Sequence, residues 1–311
     1  MTDAAIIETR ALTRDFRKVR AVAALDLRVM RGEIFGLVGP DGAGKTTTLR
    51  LLAGLLDITA GAATVAGFDL ERQPESIKPH LGYMAQQFSL YGDLSVAENL
   101  AFFADLYGVT GARRRERTER LLEFAQLAQF RNRRAAHLSG GMQKKLALAC
   151  TLVHEPELLL LDEPTTGVDP VSRREFWDIL SDLRLQGTTI LISTPYMDEA
   201  ERCEHVGLMY AGRMIICDTP RGIRDRLVGD LVEFRPDDLE STQRLLEGFS
   251  GVLETQIYGD LLRVFFDSAD ERLPLLEERL QAQGIGYRGL RRTQPQMEEA
   301  FISLIQAMDE T

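Results

Sequence analysis

The sequence predicts two domains: an α/β domain with a mixed sheet and a helical insertion, then a small α+β domain. An apolar run at residues 34–38 leads through a glycine-rich loop into a helix-like run at residues 48–53. Residues 158–161 are all leucine, as expected of a central parallel strand buried on both faces. The last part of the chain follows a β-α-β-β-α-β order, which is typical of ferredoxin-like domains. We place the two domains at residues 1–220 and 221–311.

Length and composition are those of a protein that buries a substantial core. The chain has 311 residues, of which 44% are hydrophobic and 27% charged. This length suits two domains. The formal net charge of −10 argues against a broad nucleic-acid-binding surface, so no nucleic acid partner is expected. The three cysteines and four histidines are scattered without metal-ligand spacing, which indicates neither a disulfide framework nor a zinc site.

The sequence predicts no targeting or membrane-spanning segment. Residues 1–5 lack the basic and apolar regions of a secretory signal. No apolar run approaches the roughly 20 residues that a helix needs to cross a bilayer. A cytoplasmic protein is therefore expected, and any membrane role must come through a partner.

The glycine-rich loop has the pattern G-x-x-x-x-G-K-[ST], which binds nucleotide phosphates when it lies between a strand and a helix. Its glycines let the backbone wrap around phosphate oxygens, and the helix N-terminus attracts anions. Lys45 is expected to reach the β- and γ-phosphates, and the Thr46 hydroxyl to bind Mg²⁺. An ordinary glycine-rich turn is the alternative, which the spacing disfavours. The residues expected to bind nucleotide are Gly39, Pro40, Asp41, Gly42, Ala43, Gly44, Lys45, Thr46 and Thr47.

Two acids directly follow the leucine run. At the end of a parallel strand, Asp162 is placed to hold Mg²⁺, and Glu163 is placed to orient or deprotonate an attacking water. Acids at strand ends also serve as helix caps, so the pair alone does not decide between these roles. Together with the loop at residues 39–47, the pair predicts a nucleotide site.

Two further side chains are candidates with an open alternative. Residues 6–29 predict short strands around a tight turn, an antiparallel layer beside the main sheet. Phe16 near its edge could stack on an adenine or be a half-buried strand aromatic. Residues 81–87 predict a short strand ending in two glutamines. Gln86 is then placed to coordinate the metal ion or position the attacking water, or it lies in a solvated loop.

A helical insertion is expected at about residues 92–155. A capping box at Ser95 predicts the start of its first helix. A later glycine-rich cap precedes a helix expected at residues 143–153. This cap is either a second anion-binding helix N-terminus or a plain cap. It consists of Ser139, Gly140 and Gly141.

The second domain is predicted from alternating strand and helix patterns. Its expected strands are residues 231–235, 252–258, 261–266 and 285–290, and its expected helices are residues 238–249 and 271–283. A last amphipathic helix at residues 296–308 could dock on this domain or on a partner. This half of the chain carries no catalytic pattern.

These motifs, in this order, closely resemble the ATP-binding cassette (ABC) ATPase family over roughly residues 5–220. Phe16 falls where the family has its adenine-stacking aromatic residue. In the signature motif, Met142 stands where the family has glutamine. The matching segments are Walker A at residues 39–47, the Q-loop glutamine Gln86, the LSGGQ signature at residues 138–142, Walker B with the catalytic glutamate at residues 158–163, and the D-loop at residues 167–170.

The resemblance implies a P-loop NTPase cassette that binds ATP with Mg²⁺ and works as a head-to-tail dimer. ATP is held between Walker A of one cassette and the signature loop of the other. Ser139, Gly140 and Gly141 are therefore expected to contact the γ-phosphate in a partner's site, and Asp169 of the D-loop is a further nucleotide-site residue. The second cassette can be the same chain or a different one.

The resemblance also implies a membrane partner. In the family, closure of the cassettes moves paired permease subunits that dock near the Q-loop, here at residues 88–91. The second domain and residues 294–301 look like those of ABC-2-type exporters, which include multidrug and polysaccharide export systems. The chain also looks like one half of the tandem-cassette multidrug ATPases. The predicted function is the ATP-binding subunit of an exporter, peripheral on the inner face of the cell membrane through permease subunits.

One position departs from the family pattern. Members typically read Ser-Thr-His after the strand that follows the D-loop, and the imidazole contacts the γ-phosphate. This chain has Pro195 at that place. Proline has no polar side chain and no N–H, and His205 is too far along the chain to take the role. We hypothesise that the chain's own Walker A site is slow, and that its signature loop serves a partner cassette with the missing histidine. The alternative is a harmless substitution that is compensated locally.

Two other functions fit parts of the sequence. A regulatory cassette that closes on ATP with little hydrolysis is favoured by Pro195 and opposed by Glu163. An ABC protein that acts on ribosomes or DNA usually carries two fused cassettes or a long coiled-coil insertion. The single cassette and the acidic net charge oppose that second alternative.

Overall fold

Two sheets form the first of the two units into which the chain divides, Met1–Pro220 and Arg221–Thr311. The computed structural model describes residues 4–87, 90–227 and 229–309. The strands of the first unit are β1 Ala5–Phe16, β2 Val19–Met30, β3 Ile34–Val38, β4 Ala60–Val65, β5 Phe68–Asp69, β6 Leu81–Met84, β7 Leu158–Asp162, β8 Thr189–Thr194, β9 His205–Tyr210 and β10 Arg213–Asp218. Its helices are α1 Lys45–Leu52, α2 Pro74–Ile77, α3 Val96–Leu106, α4 Gly111–Phe124, α5 Gly140–Thr151, α6 Pro170–Leu185 and α7 Met197–Ala200, and α8 Pro220–Arg224 begins at its end.

The larger sheet has the strand order β10-β9-β3-β8-β7-β6. Its strands are parallel except for β10, which pairs antiparallel with β9. The smaller sheet, β2-β1-β4-β5, is antiparallel. The predicted mixed sheet with an antiparallel layer beside it is therefore confirmed. Every residue of β3 and β7 is buried, which explains their unbroken apolar runs.

One hydrophobic core joins the two sheets and α1. It includes Leu12 and Leu25 of the antiparallel layer, Leu37 and Leu160 of the larger sheet, and Leu49 of α1. Each of these leucines is fully buried, and burying one contributes roughly 1.5–3 kcal/mol. The core therefore fixes α1, and with it the loop that precedes α1, against both sheets.

The helical insertion has a core of its own, built from α3, α4 and α5. The capping box at Ser95 is present and begins α3. At the other end of α3, the ring of Tyr107 stacks on His154 with centroids 3.7 Å apart and planes 10° apart. His154 donates from Nε2 to the Leu81 carbonyl at 3.0 Å, and burial lowers the pKa of this imidazole. The insertion is thus fastened to the start of β6.

Within the described residues, the second unit contains a four-stranded antiparallel sheet, three helices and most of α8. Its elements are β11 Asp230–Pro236, α9 Leu239–Glu247, β12 Val252–Tyr258, β13 Leu261–Phe266, α10 Ala269–Ala282, β14 Tyr287–Thr293 and α11 Met297–Asp309. The strand order β12-β13-β11-β14 sets the last strand beside the first, as in ferredoxin-like domains. The last helix, α11, buries Met297 and Ala300, and its buried Glu299 is ion-paired with Arg263.

Several predicted boundaries differ from the observed ones. The last strand, Tyr287–Thr293, begins two residues later and ends three residues later than expected. The helix after the glycine-rich loop ends at Leu52 rather than continuing to residue 56, because Gly54 adopts a left-handed φ of 66° that terminates it. Helix α5 begins at Gly140, three residues earlier than expected, because Ser139 is its N-cap. Helix α10 begins at Ala269, two residues before the predicted start. Among the described residues, no helix is long and apolar enough to cross a membrane.

Candidate active site

The site residues meet at one edge of the larger sheet, where its parallel strands end. Val38 at the end of β3 pairs with Thr194 of β8, and Asp162 at the end of β7 pairs with Ser193. The loops that follow β3, β7 and β8 therefore leave the sheet side by side. Ligands bind in this position in open α/β sheets generally.

The glycine-rich loop turns tightly and leaves the N-terminus of α1 open. Gly44 has a left-handed φ of 102°, and a Cβ there would lie 2.4 Å from the Ala21 carbonyl oxygen. Only glycine fits this place. Gly44 is also the N-cap of α1, and no side chain caps the helix. The N–H groups of the first turn are thus available to an anion.

Lys45 curls back over the loop that carries it. Its Nζ donates to the carbonyls of Gly39 at 2.8 Å and Pro40 at 3.0 Å, and lies 3.4 Å from Glu163 Oε1. The Lys45 side chain is only 4% exposed, so its charge is held among polar partners inside the loop. A phosphate seated in the loop would meet this ammonium group directly.

Asp162 is a fully buried carboxylate surrounded by hydroxyl groups. Its Oδ1 accepts from Thr46 Oγ1 at 2.9 Å and from Ser193 Oγ at 2.8 Å, and its Oδ2 accepts from Tyr83 at 3.4 Å. Burial is the main cause of the raised pKa of Tyr83. Thr46 and Asp162 bring two oxygen ligands together beside the phosphate loop, and Mg²⁺ prefers oxygen ligands. These residues fit a Mg²⁺ ion that also binds nucleotide phosphates.

Glu163 is buried and held in a strained backbone conformation. Its φ is 45°, a left-handed value that costs on the order of 1–3 kcal/mol for a residue other than glycine. Its N–H donates to Ser193 Oγ at 3.0 Å, and its Oε2 accepts from Gln86 Nε2 at 2.8 Å and Thr166 Oγ1 at 3.3 Å. Seven other described residues besides glycines also have a left-handed φ, so the burial and the hydrogen bonds of Glu163 are what distinguish it.

Gln86 contacts Glu163 rather than the pair of metal-ligand candidates. Its described hydrogen bonds include neither Thr46 nor Asp162. Of the two roles expected of Gln86, only the role beside the attacking water is accompanied by a direct contact, the hydrogen bond to Glu163. The Gln86 carbonyl accepts from Lys144 Nζ at 2.6 Å. Burial lowers the pKa of Lys144, and the charges of Asp162 and Glu163 oppose that shift. Lys144 therefore joins α5 to the loop after β6.

Phe16 lies at the end of β1 and is 40% exposed. The Arg14 guanidinium lies over its ring, 4.6 Å from the centroid. The partner strand β2 carries Ala21, whose carbonyl oxygen would lie 2.4 Å from a Cβ at Gly44. An exposed ring on this hairpin fits a stacking role beside the phosphate loop, which stays a prediction.

The signature and D-loop residues are helix caps. Ser139 Oγ accepts from Met142 N at 3.3 Å, and Ser139 and Gly140 are exposed. Asp169 caps α6 by accepting from the N–H groups of Val171 at 3.1 Å and Ser172 at 3.0 Å, and these bonds lower its pKa. In the part of the chain that the structure describes, no hydrogen bond or ion pair joins these caps to the phosphate loop.

The loop after β8 offers no imidazole to the site. Pro195 directly follows Thr194. His205 begins β9 opposite Phe35, at the other end of the parallel strands, and its Nδ1 lies 2.6 Å from Glu33. His205 cannot replace the missing histidine from there.

Four residues of the site did not follow from the sequence patterns. Ser193 and Tyr83 contact Asp162 from the two neighbouring strands. Thr166 folds back onto Glu163, and Lys144 of α5 contacts Gln86 in the loop after β6. The polar Ser193 at the end of an apolar strand was the one available signal, because parallel strand ends gather at one edge. The other three depend on register and tertiary packing.

Comparisons with known proteins agree with this geometry. A family profile described as ABC transporter matches residues 22–166. A probable multidrug ABC transporter ATP-binding protein of Escherichia coli is 44% identical over 288 residues, covering 92% of this chain. The aligned part is 49% of that curated relative, so the chain spans about half its length.

Two further proteins match over more of their own length. The Nod factor export ATP-binding protein I of Cupriavidus metallidurans is 38% identical over 302 residues, 96% of this chain and 97% of the relative. A solved component of an ABC transporter complex from Clostridium perfringens has a TM-score of 0.66 at 26% identity, covering 71% of this chain and 91% of that one. The chain therefore belongs to the ABC transporter family, among its ATP-binding proteins.

Proposed function

We propose that this chain hydrolyses ATP to ADP and phosphate and drives an exporter through partner membrane subunits. The observation that carries the proposal is the strained, buried Glu163 beside the Thr46–Asp162 pair. Glu163 is held by Gln86 and Thr166 at the point where a water would approach the γ-phosphate. The intact Glu163 opposes the alternative of a regulatory cassette with little hydrolysis, which Pro195 favours.

The residues divide the chemistry among them. The α1 N-terminus and Lys45 bind the β- and γ-phosphates. Bound between Thr46 and Asp162, Mg²⁺ would supply positive charge to the phosphate oxygens. Glu163 orients the attacking water and accepts its proton, which is general-base catalysis. Lys45 exchanges its contact with Glu163 for one with phosphate, and this frees Glu163 Oε1 for the water.

A second cassette completes the site in this proposal. Ser139 and Gly140 are exposed at the N-terminus of α5, unattached to the chain's own phosphate loop, and such a helix end attracts phosphate. Asp169, the N-cap of α6, is likewise exposed and unattached to the chain's own phosphate loop. These surfaces fit a head-to-tail arrangement in which each chain completes the other's site. The partner is either a second copy or a different cassette.

An exposed aromatic patch beside the Q-loop is the proposed docking surface for ABC-2-type permease subunits. Of the predicted docking residues 88–91, the first two lie outside the described residues. Tyr91 is 51% exposed, and its ring packs edge-on against Phe102 of α3 at 4.7 Å. Leu106, one turn further, is 63% exposed. Exposed apolar clusters of this kind mark protein interfaces, and the names of the multidrug and Nod factor relatives favour an exporter.

The test of hydrolysis is a Glu163→Gln variant. We expect ATPase activity to fall on the order of 10²–10⁴-fold, because the amide cannot accept the proton, while ATP binding persists. Glu71→Gln makes the same change on an exposed turn and should leave activity unaltered. Equal activities of the Glu163→Gln and wild-type proteins would refute the proposal.

The export role is tested in membranes. The tagged chain should co-purify with permease subunits, and a Tyr91→Asp, Leu106→Asp variant should lose them while retaining its fold. Identification of the bound proteins would also tell whether a second cassette is present. Recovery of the chain without any membrane protein would argue against the exporter.

The slow-site hypothesis concerns Pro195. Proline offers no transition-state contact to the γ-phosphate, and loss of one such contact costs on the order of 10²–10³ in rate. A Pro195→His variant of the isolated chain should therefore hydrolyse ATP faster than the wild type, with similar ATP affinity. Equal rates would leave the substitution harmless and the hypothesis wrong.

A further inference from the structure

A buried carboxylate that the proposed chemistry does not use lies directly behind the site. Glu199 of α7 is 1% exposed. Its Oε1 accepts from Thr165 Oγ1 and its Oε2 accepts from Thr194 Oγ1, both at 2.6 Å. A buried carboxylate is retained only where such donors satisfy it. Thr165 lies in the loop after β7 and Thr194 ends β8, so both donors are next to active-site residues.

The two threonines connect Glu199 to two turns of the chain, the turn after β7 and the turn after β8. Thr165 is two residues beyond Glu163, inside the turn that gives Glu163 its left-handed conformation. Thr194 ends β8, and its Oγ1 also accepts from Tyr196 N at 3.0 Å. Because Pro195 has no N–H, this hydroxyl supplies a hydrogen bond that closes the turn after β8.

A third segment reaches the same carboxylate from α6. The Nε of Arg173 lies 3.7 Å from Glu199 Oε1, and its guanidinium lies over the Tyr196 ring at 4.3 Å from the centroid. Arg173 is in the first turn of α6, whose N-cap is Asp169. Glu199 is thus the common partner of the loops after β7 and β8 and of the helix that follows the D-loop.

The conformation of Glu163 needs this support. A left-handed non-glycine residue relaxes unless the surrounding structure fixes it. The N–H of Glu163 is fixed from β8 by Ser193, and Thr165 is fixed by Glu199. The turn between them is bridged by Thr166 N and Val168 N, which donate to the Glu163 and Thr165 carbonyls.

We propose that Glu199 is a positioning residue that holds the Glu163 turn in its active conformation and ties it to the D-loop helix. This role rests on the proposed ATP hydrolysis. It acts on the rate of the chemical step and leaves nucleotide binding, which depends on the phosphate loop, unaffected.

The matched pair for the test is Glu199→Gln and Asp198→Asn. Asp198 is the adjacent acid, also 3.7 Å from Arg173, but its side chain is 72% exposed. We expect Glu199→Gln to lower kcat about 10- to 100-fold with KM within twofold, because a small misplacement of a catalytic group has this effect. Asp198→Asn should leave both constants unchanged. Thr165→Val, which removes the hydroxyl that donates to Glu199, should lower kcat in the same way. Thr165→Ser, which keeps a hydroxyl, should retain activity.

Amide hydrogen exchange without nucleotide gives a second readout that needs no activity. Glu199→Gln should speed exchange at Thr166 and Val168 and leave β3 protected, whereas Asp198→Asn should not. Unchanged exchange and kcat would overturn the proposal, and so would a uniform loss of protection that includes β3. If the wild type lacks ATPase activity sensitive to Glu163→Gln, the proposed hydrolysis fails, and exchange alone decides the role of Glu199.

Discussion

The charged residues of the site are buried, and each has partners that offset the loss of water. Lys45 is held by two carbonyls and Glu163, and Asp162 by three hydroxyl groups. Removing a single partner leaves a buried charge uncompensated, which is more destabilising than removing a whole pair. Single substitutions here therefore affect folding as well as chemistry, and variants should be checked for stability before their rates are compared.

A glycine of the signature loop has a packing role that can be separated from phosphate binding. A Cβ at Gly141 would lie 2.6 Å from the Ser172 side chain, whereas the nearest atom to a Cβ at Gly140 is 3.7 Å away. We expect Gly141→Ala to reduce the free energy of unfolding by about 1–3 kcal/mol, as overpacking does. Gly140→Ala, the matched control, should change it by less than about 0.5 kcal/mol.

Urea denaturation of both variants measures the difference. Equal stability of the two proteins would mean that α5 and α6 separate freely at this contact. If the Gly140→Ala variant loses activity but keeps its stability, Gly140 acts on the nucleotide, whereas Gly141 acts on packing.

At the scale of single residues, the sequence predicted those whose roles depend on spacing along the chain. The phosphate loop is one continuous segment, and the Asp162–Glu163 pair follows an unmistakable buried strand. Ser193 was signalled only by its polar side chain at the end of an apolar strand, and Glu199 was not predicted, because the partners of both residues depend on tertiary packing. A fixed pattern along the chain carries no such information.

Elements with strong local patterns were predicted well, and their ends less well. The apolar runs that form β3 and β7, and the capping box that begins α3, are patterns of neighbouring residues and can be recognised in the sequence. The early end of α1 at Leu52 depends on the left-handed conformation of Gly54. Glycine adopts left- and right-handed conformations about equally readily, so the sequence does not decide between them. The ferredoxin-like order of the second unit was predicted from its sequence of elements alone.

The attachment of α3 to β6 should weaken in acid through His154. Burial lowers the pKa of this imidazole in the folded protein below its unfolded value of about 6.5. The unfolded chain then binds more protons, so the stabilisation is present above about pH 6.5 and is lost as the pH falls toward the folded pKa. The free energy of unfolding should fall between pH 7.5 and 5.5.

A His154→Gln variant should flatten this pH dependence, because its side chain does not titrate. His137→Gln, at an exposed histidine, should retain the slope of the wild type. Equilibrium denaturation across the pH range measures both. An unchanged slope in His154→Gln would assign the pH dependence to other groups.

At the scale of the whole molecule, the chain has two units with separate hydrophobic cores. We expect a fragment of residues 1–220 to fold and to bind Mg²⁺-ATP with an affinity within about threefold of the full chain, since every site residue lies in the first unit. Titration with a fluorescent ATP analogue measures this. A fragment that folds but does not bind would reveal a contribution of the second unit to the site.

The pairing of β3 also governs when the protein becomes competent during synthesis. Ile34 pairs with Ile190 and Phe35 with His205, so the strand that carries the phosphate loop has no neighbour in its sheet until those segments leave the ribosome. At about 5–20 residues per second, this delay is on the order of ten to thirty seconds. We expect the nascent chain to carry an exposed apolar strand through that interval, as chaperone substrates do, and to bind ATP only once most of the first unit has been translated.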